Sequence, residues 1–287
     1  MSLVALLSGL RISQSRQLLG KALPRLQKSC KQSLTSHSTQ VASLAAPFSG
    51  LKASSTSSGG INFVVNAKAY ANNGSAYNEE LASTPLSSGR LYDNVWVRHW
   101  DTYVTQERYS VFAGSLAKSN SSELALTGDL TNLLQGMDAP VTRPETPYQP
   151  FGGSGDYDLS PDGSQVVFMT KAPELPKANF TASYLYLVPH DGSAVAKQLN
   201  GPGSKAPEQA KGASAAPVWS PTGKMIAYNQ MDGIDYESDR AKLYIADVET
   251  GDITLLAGDW DQSASSIAWS HDCSELYVSG DYIGSTR

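Results

Sequence analysis

Two neighbouring acidic side chains are the first feature of the sequence that suggests ligand chemistry. Glu79 and Glu80 are the only adjacent acidic residues in the chain, and Asn78 precedes them. A peptide amino terminus that leaves water needs carboxylate partners to offset its desolvation, so the pair is a candidate site for the N-terminus of a substrate. Acidic residues after an Asn cap also favour the first turn of a helix, so a purely local role stays open. We expect a short helical turn here, ended by Pro85.

A second candidate group follows further along the chain. Its residues are consecutive and combine a cation, an imidazole, an indole and a carboxylate: Arg98, His99, Trp100 and Asp101. Such a group either shapes the wall of a pocket or holds neighbouring elements together. An Arg and an Asp on either side of an aromatic residue favour a structural ion pair between the two.

Hydrolysis requires a nucleophile, a base and an oxyanion site together, and the sequence does not combine them. The segment nearest to a nucleophile elbow, Gly152-Gly-Ser-Gly-Asp156, ends in Asp instead of Gly. His190 and His271 lie in predicted turns and are interpreted as solvated residues. No cluster of His, Cys or carboxylate side chains has the spacing of metal ligands. We therefore assign no catalytic residue, metal or cofactor to this chain and expect it to be inactive alone.

The distribution of charge divides the chain into two parts. The net charge is -5, yet residues 1–78 contain eight Lys or Arg and no acidic residue. Residues 1–41 have the basic, Ser-containing composition of a mitochondrial presequence, and the alternative is a non-homologous extension without function. We expect this segment to be disordered, and we place one folded domain at residues 42–287.

Charge and hydropathy also exclude some partners. An acidic chain without a clustered basic surface gives no reason to expect nucleic-acid binding. No run approaches the ~18 apolar residues of a membrane-spanning helix, so no membrane association is expected. The two cysteines, Cys30 and Cys273, fall on opposite sides of the predicted domain boundary and do not form a disulfide framework.

Internal repetition predicts the fold. Three segments align, each with a bulky residue that enters a tight turn and an apolar run that leaves it: Leu159-Ser-Pro-Asp-Gly163, Trp219-Ser-Pro-Thr-Gly223 and Trp269-Ser-His-Asp-Cys273. Downstream of the first two, paired apolar runs with Gly-ended turns read as hairpins. Four short strands in each unit of about 50 to 60 residues are typical of a propeller blade. We predict an all-β chain, a partial β-propeller of four-stranded blades.

These residues resemble those of a known family. Five segments resemble the propeller part of fungal dipeptidyl-peptidase V, in the prolyl oligopeptidase clan of serine peptidases: Tyr77-Asn-Glu-Glu-Leu81, Pro85-Leu-Ser-Ser-Gly-Arg90, Val97-Arg-His-Trp-Asp101, Pro150-Phe-Gly-Gly153 and Leu187-Val-Pro-His-Asp-Gly-Ser193. The Ser-Pro-Asp-Gly turn following Asp156 agrees with the family but recurs in many propellers. The similarity extends from about Ala42 to Arg287.

The resemblance implies a function that the chain performs only in part. In this family a TolB- or dipeptidyl-peptidase-like propeller is followed by an α/β-hydrolase domain that holds the catalytic triad. The chain is expected to stop before that domain and to act as the substrate-gating propeller of an enzyme that removes N-terminal dipeptides from peptides. Related dipeptidyl peptidases bind the substrate amino terminus with a double Glu, as predicted here for Glu79 and Glu80. The alternative is a non-catalytic propeller that binds a protein or peptide.

The same resemblance bears on localisation. The family is secreted, and three glycosylation acceptors are present, at Asn73, Asn120 and Asn179. A secreted glycoprotein is therefore expected. Import into mitochondria is the alternative if the basic leader is genuine.

Overall fold

The structure is a computed structural model that describes residues 2–5, 39–83, 86–92, 97–118, 123–282 and 285–286. The chain divides into two compact units, Met1–Leu44 and Ala45–Arg287. In the first unit, strand β1 (Ser2–Ala5) pairs antiparallel with β2 (Thr39–Ser43). The candidate site residues that the structure describes all lie in the second unit.

The first of three four-stranded antiparallel sheets contains β3 (Ser49–Ser55), β4 (Ile61–Ala69), β7 (Arg108–Lys118) and β8 (Leu124–Asn132), in that order. The connection from β4 to β7 is long, and it carries a hairpin of two short strands, β5 (Arg98–His99) and β6 (Thr102–Tyr103). This β4–β7 insertion contains both candidate groups that the sequence suggested.

The second and third sheets have the same simple order. The second contains β9 (Tyr157–Leu159), β10 (Gln165–Lys171), β11 (Ser183–Pro189) and β12 (Lys197–Gln198). The third contains β13 (Ser214–Trp219), β14 (Met225–Gln230), β15 (Lys242–Asp247) and β16 (Ile253–Leu256). The predicted hairpins are confirmed, as β11 with β12 and β15 with β16.

The remaining elements are short. A 3-10 turn (Ser154–Asp156) precedes β9, and another (Pro207–Gln209) precedes β13. Two two-stranded pairs follow the third sheet: β17 (Ser266–Trp269) with β18 (Leu276–Ser279), and β19 (Asp281–Tyr282) with β20 (Ser285–Thr286). The sequence between Val95 and Leu116 also alternates like strands, and the described part of this region contains β5, β6 and most of β7.

The second sheet is buried on both faces because its strands are apolar at successive positions. Val166 and Phe168 of β10 face a cluster that includes Val64 and Val111 of the first sheet. Residues Val167 and Met169, which alternate with them, face a cluster that includes Ile226 and Tyr228 of the third sheet. Side chains of a strand point alternately to opposite faces, so a continuous apolar run is what a sheet between two others requires. The three sheets therefore pack in chain order.

Polar contacts join the first strands of the three sheets. The Asp158 carboxylate, in β9, forms an ion pair with Lys52 Nζ of β3 at 3.1 Å and accepts a hydrogen bond from the Trp219 backbone N–H of β13 at 2.9 Å. Tyr157 beside it is fully buried, and its hydroxyl accepts a hydrogen bond from Asn66 Nδ2 at 2.8 Å. Each of these contacts satisfies a polar group that sheet packing has removed from water.

The repeated turns form as the sequence predicts. In the first, the backbone N–H of Gly163 donates to the Ser160 carbonyl at 2.9 Å, and Gly163 has a φ of 73°. Gly223 occupies the same place in the second turn with a φ of 69°. The third turn places Cys273 there at a φ of 59°, a backbone conformation that glycine adopts more readily. Cys273 is a free thiol.

The prediction for His190 is wrong. The residue lies in the turn after β11, as expected, but its side chain is only 5% exposed. Its Nε2 atom forms a hydrogen bond with the carbonyl oxygen of Phe63 in β4, at 3.1 Å. The His190 side chain is buried by its contact with the first sheet, which local turn chemistry does not reveal, whereas the turn residues Asp191 and Gly192 are exposed. His271, in the third turn, is exposed as predicted.

Candidate functional site

The β4–β7 insertion places Glu79 and Glu80 in a single turn. The Asn78 side chain caps it, because Asn78 Oδ1 accepts a hydrogen bond from the Glu80 backbone N–H at 2.9 Å. Backbone bonds from Leu81 and Ala82 to the carbonyls three residues earlier complete the turn, and no helix follows among the described residues. The predicted cap is confirmed, the predicted helix is limited to this turn, and Pro85 lies outside the described residues.

Both Glu79 and Glu80 are exposed, and neither has an ion-pair partner in the described part of the chain. The turn is held at its base by Tyr70 and Tyr77, whose rings meet edge to face with centroids 5.0 Å apart. Burial and the nearby carboxylates of Glu107 and Glu79 raise the pKa of Tyr77. Glu107 and Glu79 both act on the Tyr77 hydroxyl.

The β5–β6 hairpin places the second candidate group. Arg98 and Asp101 are exposed, and no described cation lies within 4.0 Å of Asp101, so the expected ion pair between them is not formed. Asp101 Oδ1 instead accepts a hydrogen bond from the Thr102 hydroxyl at 3.1 Å. Trp100 occupies the hairpin turn with a φ of 51° and is 74% exposed.

His99 is the member of this group that faces the interior. Its ring packs edge to face on Phe151 at 5.2 Å between centroids, and its Nδ1 atom lies 3.4 Å from the hydroxyl of Tyr148. Burial, followed by the positive charges of Lys177 and Lys171, lowers the pKa of His99. The imidazole is therefore neutral at physiological pH.

A pocket of about 190 Å³ opens beside this histidine. The insertion and the adjacent ends of β4 and β7 supply most of its wall, and the loop before β9 and Lys177 close it. The ionisable residues of the lining are Lys68, His99, Tyr103, Glu107, Arg108, Tyr109, Glu145 and Lys177. The described lining offers charged and aromatic contacts together with the Thr102 and Thr105 hydroxyls. Such a lining can bind and orient a charged ligand.

Glu145 is the most buried carboxylate of the pocket, at 7% exposure. Its Oε2 atom lies 3.7 Å from Lys177 Nζ, and its Oε1 atom faces the Tyr109 backbone N–H at 3.5 Å. Burial raises the pKa of Glu145, while Lys177 opposes that shift. Burial likewise lowers the pKa of Lys177, and Glu145 opposes this. The pair is a partly desolvated charge pair at the wall of the pocket.

Lys171, at the end of β10, lies behind this wall. Its ammonium group donates a hydrogen bond to the Thr181 carbonyl at 2.8 Å and lies 4.8 Å from the centroid of the Tyr148 ring. Burial lowers the pKa of Lys171 from 10.5 to about 8, and the nearby charge of Glu237 opposes this shift. The cation thus rests on two neutral groups, a carbonyl and a ring.

We expect stability to report this burial. Below pH 8 Lys171 is charged in both the folded and the unfolded state, so the folded state bears the full cost of burying that charge. Between pH 8 and 10.5 Lys171 is protonated only in the unfolded state, so the folded state no longer bears this cost. The free energy of unfolding of the wild type should therefore rise relative to Lys171→Met across this range, by up to about 3 kcal/mol. Denaturant unfolding of both proteins at pH 7, 9 and 10.5 measures it. A constant difference between them would contradict the assigned burial.

The sequence did not reveal the charged pocket wall. Glu145 and Tyr148 belong to the connection between the first and second sheets, whereas Lys171 ends β10 and Lys177 lies in the connection that follows it. No motif spacing joins them. The only signal was the resemblance segment that begins at Pro150, two residues after Tyr148.

Other predicted features have simple outcomes. Asn73 and Asn179 are exposed, whereas Asn120 lies outside the described residues. Over the ranges that the structure describes, no group of three or more His, Cys, Asp or Glu residues is placed to hold a metal ion. No helix in the same ranges is long and apolar enough to span a membrane.

Fold and pocket together define an all-β protein of antiparallel four-stranded sheets with a pocket lined by charged residues. The chain is similar to fungal dipeptidyl-peptidase 5, as its sequence motifs predict. It is 51% identical to the Aspergillus fumigatus protein over 251 residues, which are 86% of this chain and 34% of that one. It is 51% identical to the probable dipeptidyl-peptidase 5 of Emericella nidulans over 246 residues, or 86% of this chain and 33% of the relative. The chain thus spans about a third of these relatives.

Comparison with solved structures is less informative. The match to a structure from a study of two prolyl endopeptidases covers 80% of this chain and 26% of the endopeptidase chain. The sequence identity is 14% and the TM-score is 0.36. The match to the AtxE2 isopeptidase covers 44% of this chain and 20% of the isopeptidase chain, with 22% sequence identity and a TM-score of 0.33. No protein-family model matches the chain.

Proposed function

We propose that residues 42–287 are blades of a β-propeller that binds and orients peptide substrates for a serine dipeptidyl peptidase. The observation that carries this proposal is the identity of about 50% with fungal dipeptidyl-peptidase 5 over 86% of the chain. The meander order of the three sheets and the burial of the second sheet on both faces support the blade interpretation.

In this proposal the β4–β7 insertion recognises the end of the peptide. A dipeptidyl peptidase measures two residues from a free amino terminus, which requires a fixed negative site for the ammonium group. Glu79 and Glu80 supply that charge from a capped turn on a rigid scaffold, where binding residues are commonly found. His99, backed by Tyr148, forms an uncharged, aromatic section of the wall of the 190 Å³ pocket, suited to a peptide side chain or backbone.

Bond cleavage belongs to another part of the proposed enzyme. The resemblance implies a serine nucleophile, an aspartate and a histidine in an α/β-hydrolase domain. The role of this chain is then to select and present the peptide, and alone it is inert. By selecting which peptides enter, the propeller also limits access from solvent to the catalytic centre.

The test of this proposal is the transcript sequence beyond the codon for Arg287. We expect a continuous reading frame that encodes Gly-x-Ser-x-Gly between a predicted strand and helix, followed by Asp and then His. A stop codon directly after Arg287 would contradict the proposal and favour a stand-alone binding propeller.

Secretion is part of the same proposal, supported by the exposure of Asn73 and Asn179. In a secreted protein these acceptors, and Asn120, become at least partly glycosylated, whereas import into mitochondria leaves them bare. Treatment of the native protein with a glycosidase should therefore lower its measured mass. An unchanged mass would contradict secretion.

A further inference from the structure

A second pocket lies apart from the one beside His99. It measures about 440 Å³ and opens between three loops: the one after β8, the one after β10, and the one around β12. Its volume is within the range of small-molecule sites. None of its lining residues belongs to the β4–β7 insertion, so the proposed peptide-end site does not explain it.

The walls of this pocket are apolar and conformationally restricted. Pro140, Pro173 and Pro202 contribute one wall residue from each loop, and Met137 and Val195 add apolar surface. The Pro173 carbonyl accepts hydrogen bonds from the backbone N–H groups of Val141 and Thr142, at 3.0 and 2.9 Å, which ties two of the loops together. Proline fixes its own φ, so these walls lose little entropy when a ligand binds.

The floor is also ordered. Gln198 connects it to the third loop, because its Nε2 donates to the Tyr186 hydroxyl at 3.0 Å and its Oε1 accepts from the Gly203 backbone N–H at 2.6 Å. The amide of Gln198 is thereby used within the protein. The charged groups of the lining that stay available to a ligand are the two carboxylates, Asp138 and Glu174.

The pocket is negatively charged. Asp138 and Glu174 line it, and none of the described lining residues is Lys, Arg or His. In the described part of the chain neither carboxylate has a cation within 4.0 Å; Glu174 Oε1 accepts a hydrogen bond from the Tyr184 hydroxyl at 2.7 Å. Burial first, and then the charges of Glu174 and Asp138, raise the pKa of Tyr186 to about 12, against an opposing bond from Gln198. Both carboxylates therefore act on the floor of the pocket.

We propose that this pocket binds an aliphatic ammonium group, the chemistry of a lysine side chain presented by a peptide or protein ligand. Apolar walls accommodate the methylene stem of such a side chain, while the carboxylates at its end balance the charge. An anionic ligand would meet two negative charges with no cation nearby, and a purely apolar ligand would bring no positive charge to balance them. This inference is independent of the proposed peptidase function.

The test is an NMR titration of the whole 287-residue chain with Nα-acetyl-lysine N-methylamide. Its matched probe is the norleucine analogue, which keeps the stem and lacks the ammonium group. We expect saturable shifts near Val195 and Met137 with the lysine probe, weakened by added salt, and affinity for the norleucine probe at least about tenfold lower. Equal affinity for both probes would overturn the proposal.

Variants locate the site. Glu174→Gln should lower the affinity for the lysine probe about tenfold. Asp138→Asn should lower it about threefold, because Asp138 is more exposed. Gln at position 174 still accepts the Tyr184 hydroxyl bond, and Asp138 makes no hydrogen bond within the described residues, so both proteins should fold. Asp129→Asn, an exposed carboxylate outside the pocket, is the control and should bind unchanged. Unchanged affinity in both Glu174→Gln and Asp138→Asn would refute the site.

Discussion

Replacing Glu79 or Glu80 by Gln should lower catalytic efficiency on dipeptide substrates by roughly thirty- to a thousandfold. The loss corresponds to about 2 to 4 kcal/mol for a charge-assisted contact that holds the reacting peptide. The measurement uses a hybrid enzyme in which residues 42–287 of this chain replace the corresponding segment of the Aspergillus fumigatus dipeptidyl-peptidase 5. The substrate is a chromogenic dipeptide with a free amino group.

The effect should be selective, because only a substrate with an ammonium group uses the contact. Hydrolysis of a small activated ester without an amino group should be unchanged in the same variants. Glu123→Gln is the matched control. Glu123 is exposed and lies in the connection from β7 to β8, away from the β4–β7 insertion, which joins β7 at its other end, at Arg108. Equal losses on both substrates would mean that the pair is structural. If neither substrate lost activity, Glu79 and Glu80 would not bind the amino terminus. Another carboxylate, such as Glu107 in the pocket lining, would then be the candidate.

Phe168→Ala should destabilise the folded chain by about 3 to 5 kcal/mol. Phe168 is fully buried in the cluster between the first and second sheets, and its ring stacks on Tyr186 with centroids 5.7 Å apart. Truncation removes the buried ring and leaves a cavity in a region that two sheets hold in place. Denaturant unfolding of the wild type and the variant measures the difference.

Phe151→Ala is the control of the same residue type. Phe151 is 72% exposed, and its removal should change the free energy of unfolding by less than about 1 kcal/mol. Equal free energies of unfolding for Phe168→Ala and Phe151→Ala would contradict the face-to-face packing of the first and second sheets.

The sheets were predictable because their signals are local. The turn from Ser160 to Gly163 and the apolar run of β10 are properties of a short segment, and they recur at Ser220 and β14. The continuous apolar run of β10 also indicates burial on both faces. The same reasoning failed for His190, whose burial depends on Phe63, a residue of another sheet.

The candidate site was predictable only where its residues are neighbours in sequence. Asn78 was recognised as a cap because the turn that it caps follows directly. The Glu145–Lys177 pair was missed because its members come from different loops and meet only after the first and second sheets have packed. The expected pairing of Arg98 with Asp101 does not form, since the hairpin turn at Trp100 leaves both side chains in solvent.

The most direct test of the account is the substrate preference of the hybrid enzyme described above. If residues 42–287 orient peptides by their amino terminus, the hybrid should release dipeptides from a free-amino substrate, and acetylation of that amine should abolish most of the activity. The ratio of kcat/KM for the free and acetylated substrates measures this, with the parent Aspergillus fumigatus enzyme as reference. A ratio near that of the parent is expected. A folded hybrid that cleaves both substrates equally would contradict the assigned role.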